Sequence, residues 1–378
     1  MGDARDTLML AFDRGLAEMP DAGRPWLFLN AAPLPAGAAE IRAFLECEQG
    51  FRPDFVRLEA AGYKVAARIG EPAGFAGALI LLSRARIMNE AMLERAWNGV
   101  APGGTILVAG ANKDGVKSLR KWVSRRAGAG ESLVKHHAGV FAIARSEGPS
   151  PFTPSPPPRK GRHAIAPGMF SADGPDEGSQ LLAGHFGERI AGRVADFGAG
   201  WGYLGTQLLA LCPAIARLDS YEADFASLEA ARINLAAMRD AAPGDEDLDE
   251  PDWDLDGREA LDPDDGEGEP ARPTGAQTAL AAGSGVEFGF HWCDLTLEGP
   301  KRAHDWIVMN PPFHAGRAAE PALGIAFIAA AADALNPGGR LLMVANRNLP
   351  YEQTLASRFR TFAVLEETGG YKIIKAVR

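Results

Sequence analysis

Cysteine is scarce: Cys47, Cys212 and Cys293 are the only three in 378 residues, far apart and in no CxxC spacing. That spacing excludes a disulfide framework and a paired-cysteine zinc knuckle, and it fits a reducing compartment. Long apolar runs are missing too. A stretch such as Ala76 to Leu82 is less than half of the ~18–20 residues that a bilayer-spanning helix needs. The N-terminus carries Asp3, Arg5, Asp6, Asp13 and Arg14 around a short apolar patch, without the apolar core and cleavage site of a signal peptide. A basic balance is also lacking, with 39 Lys+Arg against 49 Asp+Glu and a formal charge of −10. The expectation is a soluble cytoplasmic protein without a membrane partner. At face value the charge argues against nucleic acid.

Counting charge by segment changes that last inference. Asp240 to Glu269 holds fifteen acids and a single base, Arg258, for a net of −14. The other 348 residues hold 38 bases and 34 acids, a mildly basic body. The acidic stretch is rich in Pro and Gly and reads by composition as a solvated insertion. A basic stretch elsewhere carries Lys113, Lys117, Arg120, Lys121, Arg125 and Arg126. The i, i+4, i+8 spacing of Lys113, Lys117 and Lys121 places them on one helix face, either a plain solvated face or a phosphate-contacting stripe.

At ~150 residues per domain the length predicts two domains. The boundary is read from Pro149, Pro151, Pro154, Pro156, Pro157 and Pro158, a run that cannot sit inside a helix or a central strand. The expected division is a first domain over 1–147, a proline-rich linker over 148–160, and a second domain over 161–378 with an insertion at 239–285. In the first domain, strands are expected at Trp26–Leu29, Ala78–Leu82 and Thr105–Ala109. A helix is expected over Asn89–Trp97, with a turn at Pro102-Gly103-Gly104. In the second, strands at Arg193–Phe197, Ala216–Ser220, Val286–Phe290, Asp305–Met309 and Arg340–Ala345 alternate with helices at Leu204–Leu211, Phe225–Met238 and Ala322–Leu335. Pro337-Gly338-Gly339 reads as a turn, and Phe362–Glu366 with Tyr371–Val377 as a terminal antiparallel hairpin. Such alternation predicts an α/β fold with ligand sites at the carboxyl ends of parallel strands.

The chemistry-bearing motifs lie in the second domain. Asp196-Phe-Gly198-Ala-Gly200-Trp-Gly202 is a glycine-rich turn between a strand and a helix, suited to close approach by an anionic group. Its GxGxG spacing fails the dinucleotide fingerprint. Glu222, at the end of the next strand, can accept both hydroxyls of a ribose, and Asp294 can accept an adenine amino proton. Each could equally be an ordinary strand-end acid if taken alone. Asn310-Pro311-Pro312-Phe313 is the specific feature. Two prolines stiffen the backbone and remove two amide donors. An Asn carboxamide oxygen and a free carbonyl can then accept both hydrogens of an exocyclic amine, and Phe313 offers a face on which a base can stack.

In this order the motifs resemble the class I S-adenosylmethionine-dependent amino-methyltransferases. Within them the chain is most similar to the ribosomal RNA small-subunit guanine-N2 methyltransferases, the RsmC family. The resemblance also runs through Pro167-Gly-Met-Phe-Ser171, Asp176-Glu-Gly-Ser-Gln-Leu-Leu182, His314, Val344-Ala-Asn346, Leu349-Pro-Tyr351 and Tyr371-Lys372. It extends more weakly to Ala78–Leu82 and Leu107–Lys117. The insertion and the interdomain proline run depart from the family's pattern without touching a motif.

The resemblance implies two Rossmann-like class I methyltransferase folds in tandem, the C-terminal one catalytic and carrying the hairpin. The first fold would lack a cofactor site and serve RNA binding or structure. It implies S-adenosylmethionine as cofactor, with Asp196, Gly198, Gly200 and Gly202 at its methionine part. Ser179 would lie at the carboxylate, Glu222 at the ribose, and Asp294 and Asn310 close by. It implies transfer to guanine N2 of ribosomal RNA, 16S in the first instance. Asn310 and the Pro311 carbonyl would accept from the amine beside Pro312, and Phe313, Phe170 and His314 would shape the base site. Lys113, Lys117 and Lys121 would contact RNA. No metal is implied, and the expected partner is ribosomal RNA or the small subunit, with the chain a monomer. The alternatives are a large-subunit guanine-N2 methyltransferase, a protein glutamine N5-methyltransferase, and a non-catalytic RNA-binding or assembly protein.

Overall fold

The computed structural model describes residues 4–135, 137–153, 164, 174–240, 285–312, 314–315, 318–319 and 321–378. The first half runs α1 (Ala4–Asp13), β1 (Trp26–Leu29), β2 (Leu45–Glu48), α2 (Arg52–Ala60), β3 (Lys64–Ala66), β4 (Phe75–Leu81), α3 (Arg86–Gly99), β5 (Val100–Ala111), α4 (Val116–Ser124), β6 (Ser132–Lys135) and β7 (Ala138–Ala144). The second runs α5 (Glu177–Ala183), β8 (Gly192–Phe197), α6 (Tyr203–Leu211), β9 (Ile215–Glu222), α7 (Phe225–Asp240), β10 (Glu287–Trp292), α8 (Leu295–Glu298), β11 (His304–Met309), β12 (His314–Ala315), β13 (Ala318–Ala319), α9 (Pro321–Ala334), β14 (Leu335–Asn346), α10 (Glu352–Arg358), β15 (Thr361–Thr368) and β16 (Tyr371–Val377).

Each half folds around a seven-stranded sheet, and the two sheets share one strand order: β3-β2-β1-β4-β5-β7-β6 and β10-β9-β8-β11-β14-β16-β15. In both, five strands are parallel and the last two pair antiparallel. The central strands read as near-continuous apolar runs, Phe-Ala-Gly-Ala-Leu-Ile-Leu in β4 and His-Asp-Trp-Ile-Val-Met in β11, because helices cover both faces of a parallel sheet. Two apolar clusters per half, one on each face, make the core. The expected tandem α/β architecture with a terminal hairpin is what the chain adopts. The first half is more complete than the sequence suggested: β2, β3 and β6 are short, and β7, a mostly buried strand, was not among the expected ones.

Three local expectations need correction. Lys113 is not on a helix with Lys117 and Lys121. It sits in a short 3-10 turn, and Gly115, at φ 82°, breaks the chain before α4 begins at Val116. The Pro-Gly-Gly turns at 102 and 337 do form, but within the long strands β5 and β14 and not ahead of them, with Gly103 at φ 88° and Gly338 at φ 80° and pairing to the parallel neighbour resuming at Thr105 and Arg340. Each coincides with a register shift on the neighbouring strand, so these residues make an irregularity in the ladder, as glycine in a strand often does. Finally, the first core extends past residue 147: Phe152 is fully buried, edge-on to Trp97 at 5.5 Å and stacked on Trp122 at 5.6 Å. No helix among the described residues is long and apolar enough to cross a membrane.

Candidate active site

The second sheet presents its polar residues at the carboxyl ends of β8, β9, β10 and β11. After β8 the chain turns through Gly198, Gly200 and Gly202 at φ 76°, 54° and 91°, a left-handed region that costs other residues about 1–2 kcal/mol each. A Cβ on Gly202 would come within 3.1 Å of Ala231 on α7, whereas one on Gly200 would meet nothing within 4 Å. Gly202 is therefore a packing glycine, and Gly200 leaves backbone open to a ligand. The turn is pinned from behind: Asn234 Nδ2 donates to the Trp201 carbonyl at 2.8 Å, and the Gly200 amide donates to Glu222 Oε2 at 2.9 Å.

Asp196 is completely buried, and neither of its carboxylate oxygens has a hydrogen-bond partner among the described residues. Burial, reinforced by the nearby charge of Glu222, pushes its pKa up to about 7, opposed only by the Gly205 amide, which approaches the carboxylate without forming a well-aligned hydrogen bond. Glu222 takes amides from Ala223 and Asp224, both at 2.8 Å, on its other oxygen. Burial raises its pKa while these backbone donors pull it back. Cys293 N donates to the Glu222 carbonyl at 3.1 Å, so the next loop is fixed to this one. Asp294 caps α8, with Oδ1 accepting from Thr296 N at 2.9 Å and Thr296 Oγ1 at 2.6 Å, as a short acid at an N-cap does.

Asn310 follows β11. Its Nδ2 donates to Asp176 Oδ1 and to Ser179 Oγ, both at 2.9 Å. A carboxylate can only accept, so this pair fixes which way the amide points. The carboxamide oxygen Oδ1 is then buried with no partner among the described residues. An acceptor held open in this way is costly, roughly 1–3 kcal/mol, and marks a place that a donor completes. Pro311 beside it is buried and Pro312 exposed.

Asn310, Ser179, Asp196, the three glycines, Glu222 and Asp294 thus stand along one edge of one sheet. Ser179 is engaged with Asn310, a contact not expected from sequence. Phe313 and Phe170 lie outside the described residues, and His314 is described only as backbone in β12. Lys113, Lys117 and Lys121 are exposed on the first half. Lys117 and Lys121 border a groove of about 520 Å³ with Arg120, Arg125, Leu133 and Val140. Sequence reasoning gave Asp176 no role, although it both orients Asn310 and caps α5 through Ser179 N at 3.1 Å. An Asp three residues before a Ser at a helix start was the available signal. Among the described residues no group of His, Cys, Asp and Glu is placed to hold a metal ion.

The family described as Methyltransferase small domain matches residues 162–246 and 274–375. A protein named ribosomal RNA small subunit methyltransferase C, from Shewanella oneidensis, is 28% identical over 308 residues, 78% of this chain and 75% of the relative. A protein of the same name from Hahella chejuensis is 31% identical over 212 residues, 56% of this chain and 48% of the relative. Among solved structures, the T. thermophilus 16S rRNA N2 methyltransferase in complex with AdoMet and guanosine superimposes with a TM-score of 0.70 at 23% identity. That match covers 99% of this chain and 91% of the other, so the two share the fold across both halves.

Proposed function

The chain belongs to the Methyltransferase small domain family, and from that premise we propose that it transfers a methyl group from S-adenosylmethionine to the N2 amine of a guanine in 16S ribosomal RNA. The relatives' shared name points to ribosomal RNA of the small subunit. The observation that carries the reading is Asn310, whose amide nitrogen is tied to Asp176 and Ser179 while its oxygen stays open.

The residues present fit the cofactor. A buried carboxylate without a partner, Asp196, suits a cationic amino-acid end. The open face at Gly200 suits close approach to backbone, and Glu222 and Asp294 at successive strand ends suit a ribose and an adenine. When bound, S-adenosylmethionine supplies an activated methyl on a sulfonium, so little general-base catalysis is needed.

The protein's work is positioning. Asn310 Oδ1 accepts one hydrogen of the guanine amine and the Pro311 carbonyl the other, turning the nitrogen lone pair toward the methyl donor. Because Asp176 and Ser179 prevent the amide from flipping, the acceptor is in place before substrate arrives, which is worth more than the same bond formed by a mobile side chain. The target base leaves its stack to reach the site, as base-modifying enzymes require. Phe313, Phe170 and His314 then shape the base site. The exposed Lys117 and Lys121 with Arg120 and Arg125 supply phosphate contacts from the first half, and Lys113 adds charge from the turn before α4.

The test is transfer of labelled methyl to purified 30S subunits, 50S subunits and free rRNA, followed by nucleoside analysis. N2-methylguanosine in 16S rRNA is expected. Methyl appearing on protein only, or in 23S rRNA only, overturns the assignment.

A further inference from the structure

The two halves touch through the same loop of each fold. The segment between β2 and α2 meets the segment between β9 and α7 as a single antiparallel bridge, Phe51 opposite Asp224. Arg52 N donates to the Ala223 carbonyl at 2.8 Å, and Phe225 N donates to the Gly50 carbonyl at 2.9 Å. The indole of Trp292, the last residue of β10, bonds both loops at once, to Gly50 O at 3.0 Å and Ala223 O at 2.9 Å. Phe55 packs edge-on against that indole at 4.8 Å, and the Arg52 guanidinium lies over it at 5.0 Å.

The contact continues toward Asp294. Arg52 grips Glu298 with two nitrogens, Nη2 to Oε1 at 2.6 Å and Nε to Oε2 at 2.9 Å, the fork geometry for which arginine is suited. Glu298 Oε2 in turn accepts the Asp294 amide at 2.8 Å. Trp292 pairs with Glu222 across the β9–β10 ladder. The loops carrying Glu222 and Asp294 are therefore both held by residues 50–52 of the other half.

We propose that Arg52 is a positioning residue for the adenosine half of the cofactor, contributed by the half that has no cofactor site of its own. Holding Glu298 sets the Asp294 backbone, and the stacked Trp292 steadies the end of the strand between Asp294 and Glu222. The first half thereby acts as a strut for cofactor binding as well as a surface for RNA. This inference rests on the assignment of S-adenosylmethionine to the second half.

The test is a double-mutant cycle of Arg52→Met and Asp294→Ala in the full chain, read as affinity for S-adenosylhomocysteine and for 5′-methylthioadenosine. Arg52→Met should weaken both ligands by about tenfold in the parent, and by less than about twofold once Asp294 is Ala, because contacting residues in one network are not additive. Equal losses for the two ligands place the effect at the adenosine end. A mere domain-docking role would lower the melting temperature alike in both backgrounds and leave the two affinities additive, which overturns the inference. Arg52→Lys, which keeps the cation but not the fork, should fall between parent and Met, and the same cycle is run with it if the Met variant does not fold. If the parent itself binds neither ligand, the cofactor assignment fails and the inference falls with it. If the parent binds both and the cycle is additive, the strut alone is wrong.

Discussion

The two sheets have one strand order and opposite endings. In the first, Asn30 takes the turn after β1 at φ 51°, and its Nδ2 closes on the Leu81 carbonyl at 2.8 Å. Ala31 and Leu34 fill the adjoining space and are buried. Glu48, which ends β2 as Glu222 ends β9, is held through Oε2 by Arg95 at 2.5 Å and the Ile69 amide at 2.8 Å, whereas Glu222 is held by three backbone amides. Beyond β4, Asn89 exchanges two hydrogen bonds with Ser83, each at 2.9 Å. In the second sheet, the corresponding edge leaves both oxygens of Asp196 and the oxygen of Asn310 without partners among the described residues. Buried orphans also occur elsewhere, Arg95 Nε and Trp97 Nε1 on α3 in the first half and Ser220 Oγ, His304 Nδ1 and Tyr351 Oη in the second. One scaffold can therefore close its strand-end polar groups on itself or leave some of them open. The open groups at Asp196 and Asn310 are what the proposed site in the second half rests on.

The largest expected effect lies at Asn310. Asn310→Ala removes the fixed acceptor, and kcat for methyl transfer to 30S subunits should fall by at least about a hundredfold. S-adenosylhomocysteine affinity should change by less than about threefold. Asn89→Ala in the first half should cost stability alone, leaving full specific activity per folded molecule. An Asn310→Ala enzyme with near-normal turnover would erase the distinction between the halves.

Next comes the pH dependence of cofactor binding. Burial beside Glu222 raises the Asp196 pKa from 3.8 to about 7, so the unliganded fold favours the neutral acid. The sign follows. This group's contribution to stability is fully present below about pH 4 and is lost as pH rises to about 7. A cationic ligand end requires the carboxylate, so binding releases a proton below that pH. The S-adenosylhomocysteine dissociation constant should fall by about tenfold per pH unit between about 5 and 7 and level off above. Asp196→Asn should flatten that slope and weaken binding at pH 8. Calorimetry in two buffers of different ionisation enthalpy would count the proton, and a count of zero at pH 6 would refute the role.

Much of this edge was legible in the sequence, because glycine spacing, strand-end acids and Asn-Pro-Pro are local signals. The pairing of Asn310 with Asp176 and Ser179 was not, since it joins residues more than 130 positions apart. The same limit hid Arg52, whose importance depends on a partner 246 residues away. Lys113 was misplaced for a different reason: i, i+4 spacing implies a helix face only if the helix is unbroken, and Gly115 breaks it. The first half's weaker signal has a physical root of its own, because Asn30, Glu48, Ser83 and Asn89 at its strand ends bond within that half.

A smaller effect is expected at Gly202. An alanine there would hold φ 91° and press on Ala231 at 3.1 Å, costing about 1–2 kcal/mol from the backbone alone. The melting temperature should drop, and S-adenosylhomocysteine affinity should weaken severalfold as the turn shifts. Unchanged affinity with a lowered melting temperature would show that the turn's position tolerates more movement than a backbone cradle allows.

The smallest effect sharpens the comparison most, because it falls at the first half's counterpart of the glycine-rich turn. Asn30 combines a left-handed backbone, which asparagine tolerates better than most residues, with one hydrogen bond to Leu81 O. Asn30→Ala loses both advantages and should destabilise the chain by about 1–2 kcal/mol. Asn30→Gly loses only the hydrogen bond and regains backbone ease, so it should cost less than the alanine variant. Neither should alter S-adenosylhomocysteine affinity or kcat, because the groups around Asn30 bind one another. A change in cofactor affinity in either variant, at constant melting temperature, would mean that the first half's turn still meets a ligand. The two sheets would then differ in what they bind and not in whether they bind.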